Sequence, residues 1–287
     1  MMARMSFGPL VDVDWLRAGL DDARLRVVDC RWQLGRPGAG RAAYLEGHIP
    51  GAAFLDLDTD LSDRPGERGR HPLPGQGAFE AAARSAGIDR DSPVVAYDES
   101  GEGGAARLWW LLRHFGHADA AVLDGGLAAW REAGGPLEPG EERPPVGDFS
   151  ARQRTGDTAS AEEIEASLER GSLRLVDARA PDRYAGRSEP VDPVAGHIPG
   201  AANAPFAELA PRGRYLPAAQ LRERLAHGGG ELVAYCGSGV SACTVLLAAE
   251  LAGLPARLYP GSWSEWCARG GPASTEEKAT GSPSSRP

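Results

Sequence analysis

The stretch LVAYCGSGVSACTVLLAAELAG, residues 232–253, puts a cysteine at the end of an apolar run and follows it with Gly-Ser-Gly-Val-Ser before a helical pattern. Leu232-Val233-Ala234-Tyr235 is short, apolar and bounded by glycines, as a buried strand is. From Ser241 onward the Ala-, Leu- and Glu-rich residues suit a helix that stops at Gly253. Cys236 is therefore expected on a strand–loop–helix turn at the positive end of a helix dipole, where a thiolate is favoured. A thiolate there is a nucleophile able to carry a transferred group covalently. With no basic side chain in the loop, its charge falls to the amides of Gly237, Ser238, Gly239, Val240 and Ser241, turned inward as a cradle. Gly237 and Gly239 are expected to supply the φ values that such a cradle needs, and Ser238 and Ser241 extra hydroxyl donors.

Other chemistries fit this loop less well. GSGVSA matches a G-x-G-x-x-A dinucleotide fingerprint, but that motif wants an acidic residue about 20 positions on, at the end of the next strand. The next strand here reads PARLYPG and has none. A cysteine phosphatase would place an arginine six residues after the cysteine, where this chain has Ala242. A purely structural buried cysteine leaves the two flanking glycines without a purpose.

The elements that must position Cys236 come as a duplication. GHIPGA occurs at 47–52 and again at 196–201. Upstream of each copy is an apolar strand carrying Asp, RVVDCRW at 26–32 and RLVDARA at 174–180. Downstream are a second strand and glycine loop, VVAYDESGEGGAARLWWLL at 94–112 and LVAYCGSGVSACTVLLAAE at 232–250. Each half closes on a glycine turn and a Trp, LDGGLAAW at 123–130 and YPGSWSEW at 259–266. Strands alternating with helical stretches predict an α/β fold in which each half is a parallel sheet flanked by helices. The expected boundaries are 1–133 for the first domain, 134–149 for a Pro-, Gly- and Glu-rich linker, 150–271 for the second domain, and 272–287 for a disordered polar tail. Aligning the loops sets Asp98 opposite Cys236, so thiol chemistry at this turn is confined to the second half.

Composition narrows the partners. A net charge of −9 gives no basic footprint for nucleic acid or an anionic membrane. No apolar run approaches a membrane span, and MMARMSFGPL is too short and polar for a signal peptide. Four cysteines, Cys30, Cys236, Cys243 and Cys267, are too few for a disulfide framework, so a cytoplasmic protein with reduced thiols is expected. No His/Cys group has zinc-like spacing, and no metal is expected.

The doubled GHIPGA, the Asp-bearing first strands and CGSGVSA at a strand end resemble the rhodanese superfamily. More narrowly, the chain resembles the two-domain rhodanese and 3-mercaptopyruvate sulfurtransferase family, over about residues 10–271. The resemblance implies two tandem rhodanese-like domains, the first without a nucleophile. It further implies transfer of sulfane sulfur from a small anionic donor, 3-mercaptopyruvate or thiosulfate, through a persulfide on Cys236. The acceptor would be cyanide, a small thiol or a thioredoxin-like protein, and no cofactor is required. By the same resemblance Ser238 assists deprotonation of the donor thiol, and Arg183, in VDARAPDRYAGRSEPVD, binds its anionic group. Mercaptopyruvate enzymes carry a second Arg where this chain has Asp192, and Arg187 is the candidate substitute. In FLDLDTDLSDRPGERGRHPLPG, His71 and Asp58 match a His and an Asp supplied to the cleft. His48 and His197, repeated in both halves, read as structural. An alternative function of another class is a sulfur-relay or redox-sensing partner with weak turnover of small donors.

Overall fold

The computed structural model describes residues 7–226 and 228–275. Among them the first half carries β1 (Leu10–Val11), β2 (Arg26–Asp29), β3 (Ala53–Phe54), β4 (Val94–Tyr97) and β5 (Ala120–Leu123). These pair in parallel in the order β1-β5-β4-β2-β3. The second half carries β6 (Leu173–Asp177), β7 (Ala202–Asn203), β8 (Glu231–Tyr235) and β9 (Ala256–Leu258), also parallel, in the order β7-β6-β8-β9. A single parallel bridge from Thr158 to Leu258 stands where β1 stands beside β5. The strands β4, β5 and most of β8 are buried throughout, as parallel strands covered by helices on both faces must be. The structure thus has the expected class, α/β with two parallel sheets flanked by helices.

In each half a buried ion pair braces the end of a central strand. Asp29 ends β2 and grips Arg31, whose Nη2 donates to the carbonyl of Gly47 at 2.7 Å. Asp177 ends β6 and grips Arg179, whose Nη2 donates to the carbonyl of Gly196 at 2.6 Å. Those carbonyls belong to the first glycines of the two GHIPGA copies, so the motif is held to the strand end by a buried guanidinium. His48 and His197 are anchored alike: each sets Nδ1 against a tyrosine carbonyl, of Tyr44 and Tyr184, and stacks on that ring.

The halves meet through the helices that follow the two glycine loops. Helix Gly104–His114 (GAARLWWLLRH) and helix Ala242–Leu251 (ACTVLLAAEL) are buried almost all round, as helices apolar on every side are. They pack on each other in one apolar cluster that draws on both sheets. Each sheet's other face closes over its own smaller cluster.

The linker is pinned along the first half. His48 and Glu138 exchange backbone hydrogen bonds of 3.0 and 2.9 Å, and the amides of Gly147 and Phe149 donate to Arg84 and Ile88. The expected disordered tail departs from the sequence reading at its start. His197 and Ser274 exchange the same pair of bonds, 2.9 Å each, and Trp266 Nε1 donates to the carbonyl of Pro272 as Trp130 Nε1 does to Pro136. The duplication therefore runs on through residue 275, and residues 276–287 of that expected tail lie outside the described residues.

Candidate active site

Tyr235 ends β8, and the next residue, Cys236, is only 2% exposed. Its backbone is fixed by the facing turn. Cys236 N–H donates to Ser262 Oγ at 3.1 Å, while the amides of Trp263 and Ser264 donate to the carbonyls of Cys236 and Gly237 at 2.9 Å. Ser262, itself fully buried, holds φ at +54°, a conformation that costs a non-glycine residue free energy and clusters at functional sites. The loop then turns back on its own sulfur, and Gly239 N–H points at Cys236 Sγ at 3.1 Å. Gly239 makes this possible with φ of +80°, and a Cβ there would lie 2.4 Å from the carbonyl oxygen of Pro260. Among the described residues the amides of Gly237, Ser238, Val240 and Ser241 carry no hydrogen bond. These four unspent donors lie in the loop that carries the sulfur, and free amides in such a loop are a means of holding an anion.

The first half shows such a loop filled. The Asp98 carboxylate accepts from the amides of Gly101 at 2.7 Å, Gly103 at 3.0 Å and Ala105 at 3.2 Å. Burial, with Glu102 nearby, pushes the Asp98 pKa up, while those three amides pull it down. Gly101 stands in the duplication where Gly239 stands, and the loops abut: a Cβ on Gly103 would lie 3.1 Å from Ser241 Cα.

Ser238 opens a second line of contacts. His71 Nδ1 lies 2.7 Å from Ser238 Oγ, and its Nε2 lies 3.2 Å from Asp58 Oδ1. Trp32 Nε1 donates to the same Asp58 oxygen at 3.0 Å, and the Trp32 ring meets the His71 ring edge-on. Burial, then the Arg107 and Arg70 guanidiniums, lower the His71 pKa from 6.5 to about 3, so the ring is neutral. Asp58 can only accept, which puts the single ring proton on Nε2 and leaves Nδ1 to accept from the Ser238 hydroxyl. Two residues singled out in the first half thus reach the second-half loop, in a Ser–His–Asp chain.

The expected arginines divide. Arg183 closes on the loop, with Nη1 3.5 Å from where a Gly237 Cβ would be. Its Nε and Nη2 are held by Glu189 at 3.0 and 2.6 Å, and Nη2 by Asp192 at 3.0 Å. Arg187 does not take the second position, because its guanidinium lies half-exposed against Asp182. Gly237 also has a different task from the one expected. It carries no positive φ, and its missing side chain leaves room for the Arg70 and Arg183 guanidiniums.

Two residues of the site escape the sequence reading. Arg70 reaches the loop from the first half, and no spacing relates it to Cys236. Arg107, wholly buried on helix Gly104–His114, donates to the carbonyls of Leu61, His71, Pro72 and Gly239 at 3.0–3.3 Å. A lone cation inside the apolar run ARLWWLL is a readable signal, since buried arginines require partners. Cys243 is buried and its Sγ donates to the Gly239 carbonyl at 3.4 Å, with burial pushing its pKa up to about 12. All four cysteines are free. Potential metal-ligand atoms of His48, Glu138 and Glu142 lie within 4.8 Å of one another, where the linker meets the first half. No helix among the described residues is long and apolar enough to cross a membrane.

A buried cysteine in a glycine loop, beside a Ser–His–Asp chain, agrees with the kinship of the chain. The rhodanese-like domain model matches residues 12–133 and again 160–269. Two bacterial relatives carry provisional names. One, a 3-mercaptopyruvate sulfurtransferase of Pseudomonas aeruginosa, is 47% identical over 91% of this chain and 96% of its own. The other, SseB of Mycobacterium tuberculosis, named a thiosulfate sulfurtransferase, is 47% identical over 84% of this chain and 87% of its own. The human 3-mercaptopyruvate sulfurtransferase is 38% identical over 92% and 93% of the two chains. The crystal structure of the Escherichia coli 3-mercaptopyruvate enzyme SseA superposes with a TM-score of 0.80 at 33% identity, covering 90% of this chain and 100% of that one. Sequence, duplicated fold and loop agree, and the chain belongs to the two-domain rhodanese and 3-mercaptopyruvate sulfurtransferase family of enzymes.

Proposed function

We propose that the chain moves sulfur from 3-mercaptopyruvate, in preference to thiosulfate, through a persulfide on Cys236 to cyanide or a thiol acceptor. The observation that carries the donor choice is the 2.7 Å contact of Ser238 Oγ with neutral His71. Thiosulfate brings no proton to remove, whereas a mercaptan does, and a hydroxyl hydrogen-bonded to a buried neutral imidazole offers that proton a path to the enolate carbon. In the proposed step the Cys236 thiolate attacks the donor sulfur. The S–S bond forms, the C–S bond breaks, and its electron pair leaves as the enolate of pyruvate. The donor thiol's proton passes through Ser238 and His71 and ends on the enolate carbon. The outer sulfur, now anionic, rests against the free amides of the loop, as the Asp98 carboxylate does against its own. Cyanide then takes that sulfur as thiocyanate, or a thiolate takes it as a persulfide, and either returns the Cys236 thiolate.

The test is kcat/KM for the two donors side by side with cyanide, with Cys236→Ser as control, and mass measurement of the loaded enzyme. The expected result is a preference for 3-mercaptopyruvate, a mass gain of one sulfur atom on the wild type, and no transfer by Cys236→Ser. A preference for thiosulfate would overturn the donor choice. Transfer from neither donor, with Cys236 still open to alkylation, would favour the sulfur-relay reading.

A further inference from the structure

Arg70 follows a tight turn in the first half, and that turn is pressed against the second half. Gly66 and Gly69 exchange backbone hydrogen bonds across it, and Arg70 N–H donates to Ser264 Oγ at 3.0 Å. Gly69, at φ of +101°, has room for no side chain, since a Cβ there would lie 2.7 Å from the Gly261 carbonyl oxygen. The Arg70 guanidinium is thus delivered by backbone docking to the same 261–264 turn that holds Cys236.

Its side chain is held at one nitrogen. Nη1 donates to Asp192 Oδ1 at 2.7 Å, while Asp192 Oδ2 accepts from Arg183 Nη2 at 3.0 Å. The Asp192 carboxylate is 2% exposed and spaces the two guanidiniums as a strut, one oxygen to each. Asp192 is itself set by Glu189, which accepts its amide at 3.0 Å. Nε of Arg70 is buried without a partner. Nη2 has no hydrogen bond among the described residues and stands 3.0 Å from where a Gly237 Cβ would be. Nε and Nη2 form the edge of a guanidinium that grips a carboxylate with two parallel hydrogen bonds. An edge that is free, partly desolvated and aimed at the residue after the nucleophile awaits an anion.

We infer that Arg70 supplies the second guanidinium of an anion subsite assembled from both halves, its Nε–Nη2 edge binding the carboxylate of a small 2-oxo acid thiol opposite Arg183. The inference deepens the proposed donor choice and rests on it for the identity of the anion. Arg183 contributes Nη1, which like Arg70 Nη2 comes up to bare Gly237. Asp192 does not repel the donor, because each of its oxygens is already covered by a guanidinium.

Two measurements on Arg70→Gln, Arg70→Lys and Arg183→Gln test this. The first is steady-state turnover of 3-mercaptopyruvate. Arg70→Gln is expected to lower kcat/KM at least about tenfold, which is about 1.4 kcal/mol, chiefly through KM. The second is the rate of Cys236 alkylation by anionic iodoacetate relative to neutral iodoacetamide, which needs no sulfur donor. Arg70→Gln is expected to lower that ratio with the iodoacetamide rate unchanged, and Arg70→Lys to restore part of it by charge alone. The subsite is overturned if Arg70→Gln keeps the wild-type ratio and KM while Arg183→Gln loses both. It is overturned equally if Arg70→Gln slows both reagents alike, which is what a merely structural arginine would do. Should the wild type turn over neither donor, the donor reading fails while the alkylation ratio still decides the subsite.

Discussion

Burial, followed by the Arg107 and Arg70 guanidiniums, takes the His71 pKa from 6.5 to about 3, and this has consequences for rate and stability that can be separated. For rate, the ring stays unprotonated and accepts a hydrogen bond from Ser238 across the neutral range, so kcat for 3-mercaptopyruvate should show no acid limb near pH 6.5. His71→Gln keeps an amide able to bond Ser238 and Asp58 but is no base. It should cost about 10²–10⁴-fold in kcat while leaving alkylation of Cys236 by iodoacetamide near wild type. For stability, the unfolded chain binds a proton at this site below pH 6.5 and the folded chain does not until about pH 3. Stability contributed here is therefore whole above pH 6.5 and lost as pH falls toward 3, with a slope of about 1.4 kcal/mol per pH unit. Denaturant titrations of wild type and His71→Gln between those limits should differ by that slope. Equal slopes would mean that His71 is charged in the folded protein.

At the scale of elements, the two glycine loops are one device with two occupants, and much of it is legible in the chain. The strand end at Tyr235, the helix after Ser241 and the stop near Gly253, where φ is +65°, follow from apolar run, composition and glycine alone. Asp98 opposite Cys236 was equally plain. What the sequence did not reveal is what the glycines avoid. Gly237 and Gly239 look alike in CGSG, yet only Gly239 has a positive φ, and Gly237 is bare because two arginines from distant segments approach it. Those approaches are tertiary and leave no local pattern. The difference predicts a selective lesion. Gly239→Ala meets both an unfavourable φ, costing about 1–3 kcal/mol, and the Pro260 carbonyl at 2.4 Å. The loop must move, the amide at 239 leaves Cys236 Sγ, and transfer and alkylation should fall together by about tenfold or more. Gly200→Ala is the control, at the same kind of φ (+79°) but with open space around it. It should lower Tm and leave kcat/KM alone, and if both variants lower activity alike, general destabilisation rather than loop geometry is responsible.

Across the whole molecule, the duplication that makes each half legible says nothing of how the halves meet. Only the family resemblance places Asp58 and His71 near the second-half loop, and Arg70 and Arg107 are not foreseen. From the first half His71, Arg70 and Arg107 reach the second-half loop, with Asp58 behind His71, and Arg107 is the joint. Its four acceptors belong to the first-half segments at 61 and 71–72 and to the second-half loop at 239. The bonds of this wholly buried cation among the described residues go to carbonyls, not carboxylates. Burial pushes its pKa down, and the neighbouring sulfurs of Cys243 and Cys236 oppose that. A buried cation without an anion is costly, and under the proposed function the sulfur of the loop it holds would supply that anion. Arg107→Met tests whether charge or clamp matters. An apolar side chain of similar length removes the cost of burying charge while stranding four carbonyls, opposing terms of a few kcal/mol each, so Tm should move little. Alkylation at pH 7 and sulfur transfer should both fall at least about tenfold, with Arg107→Lys recovering part of each. A large loss of Tm with alkylation unchanged would make Arg107 a clamp between domains and leave the sulfur's charge to the loop amides alone.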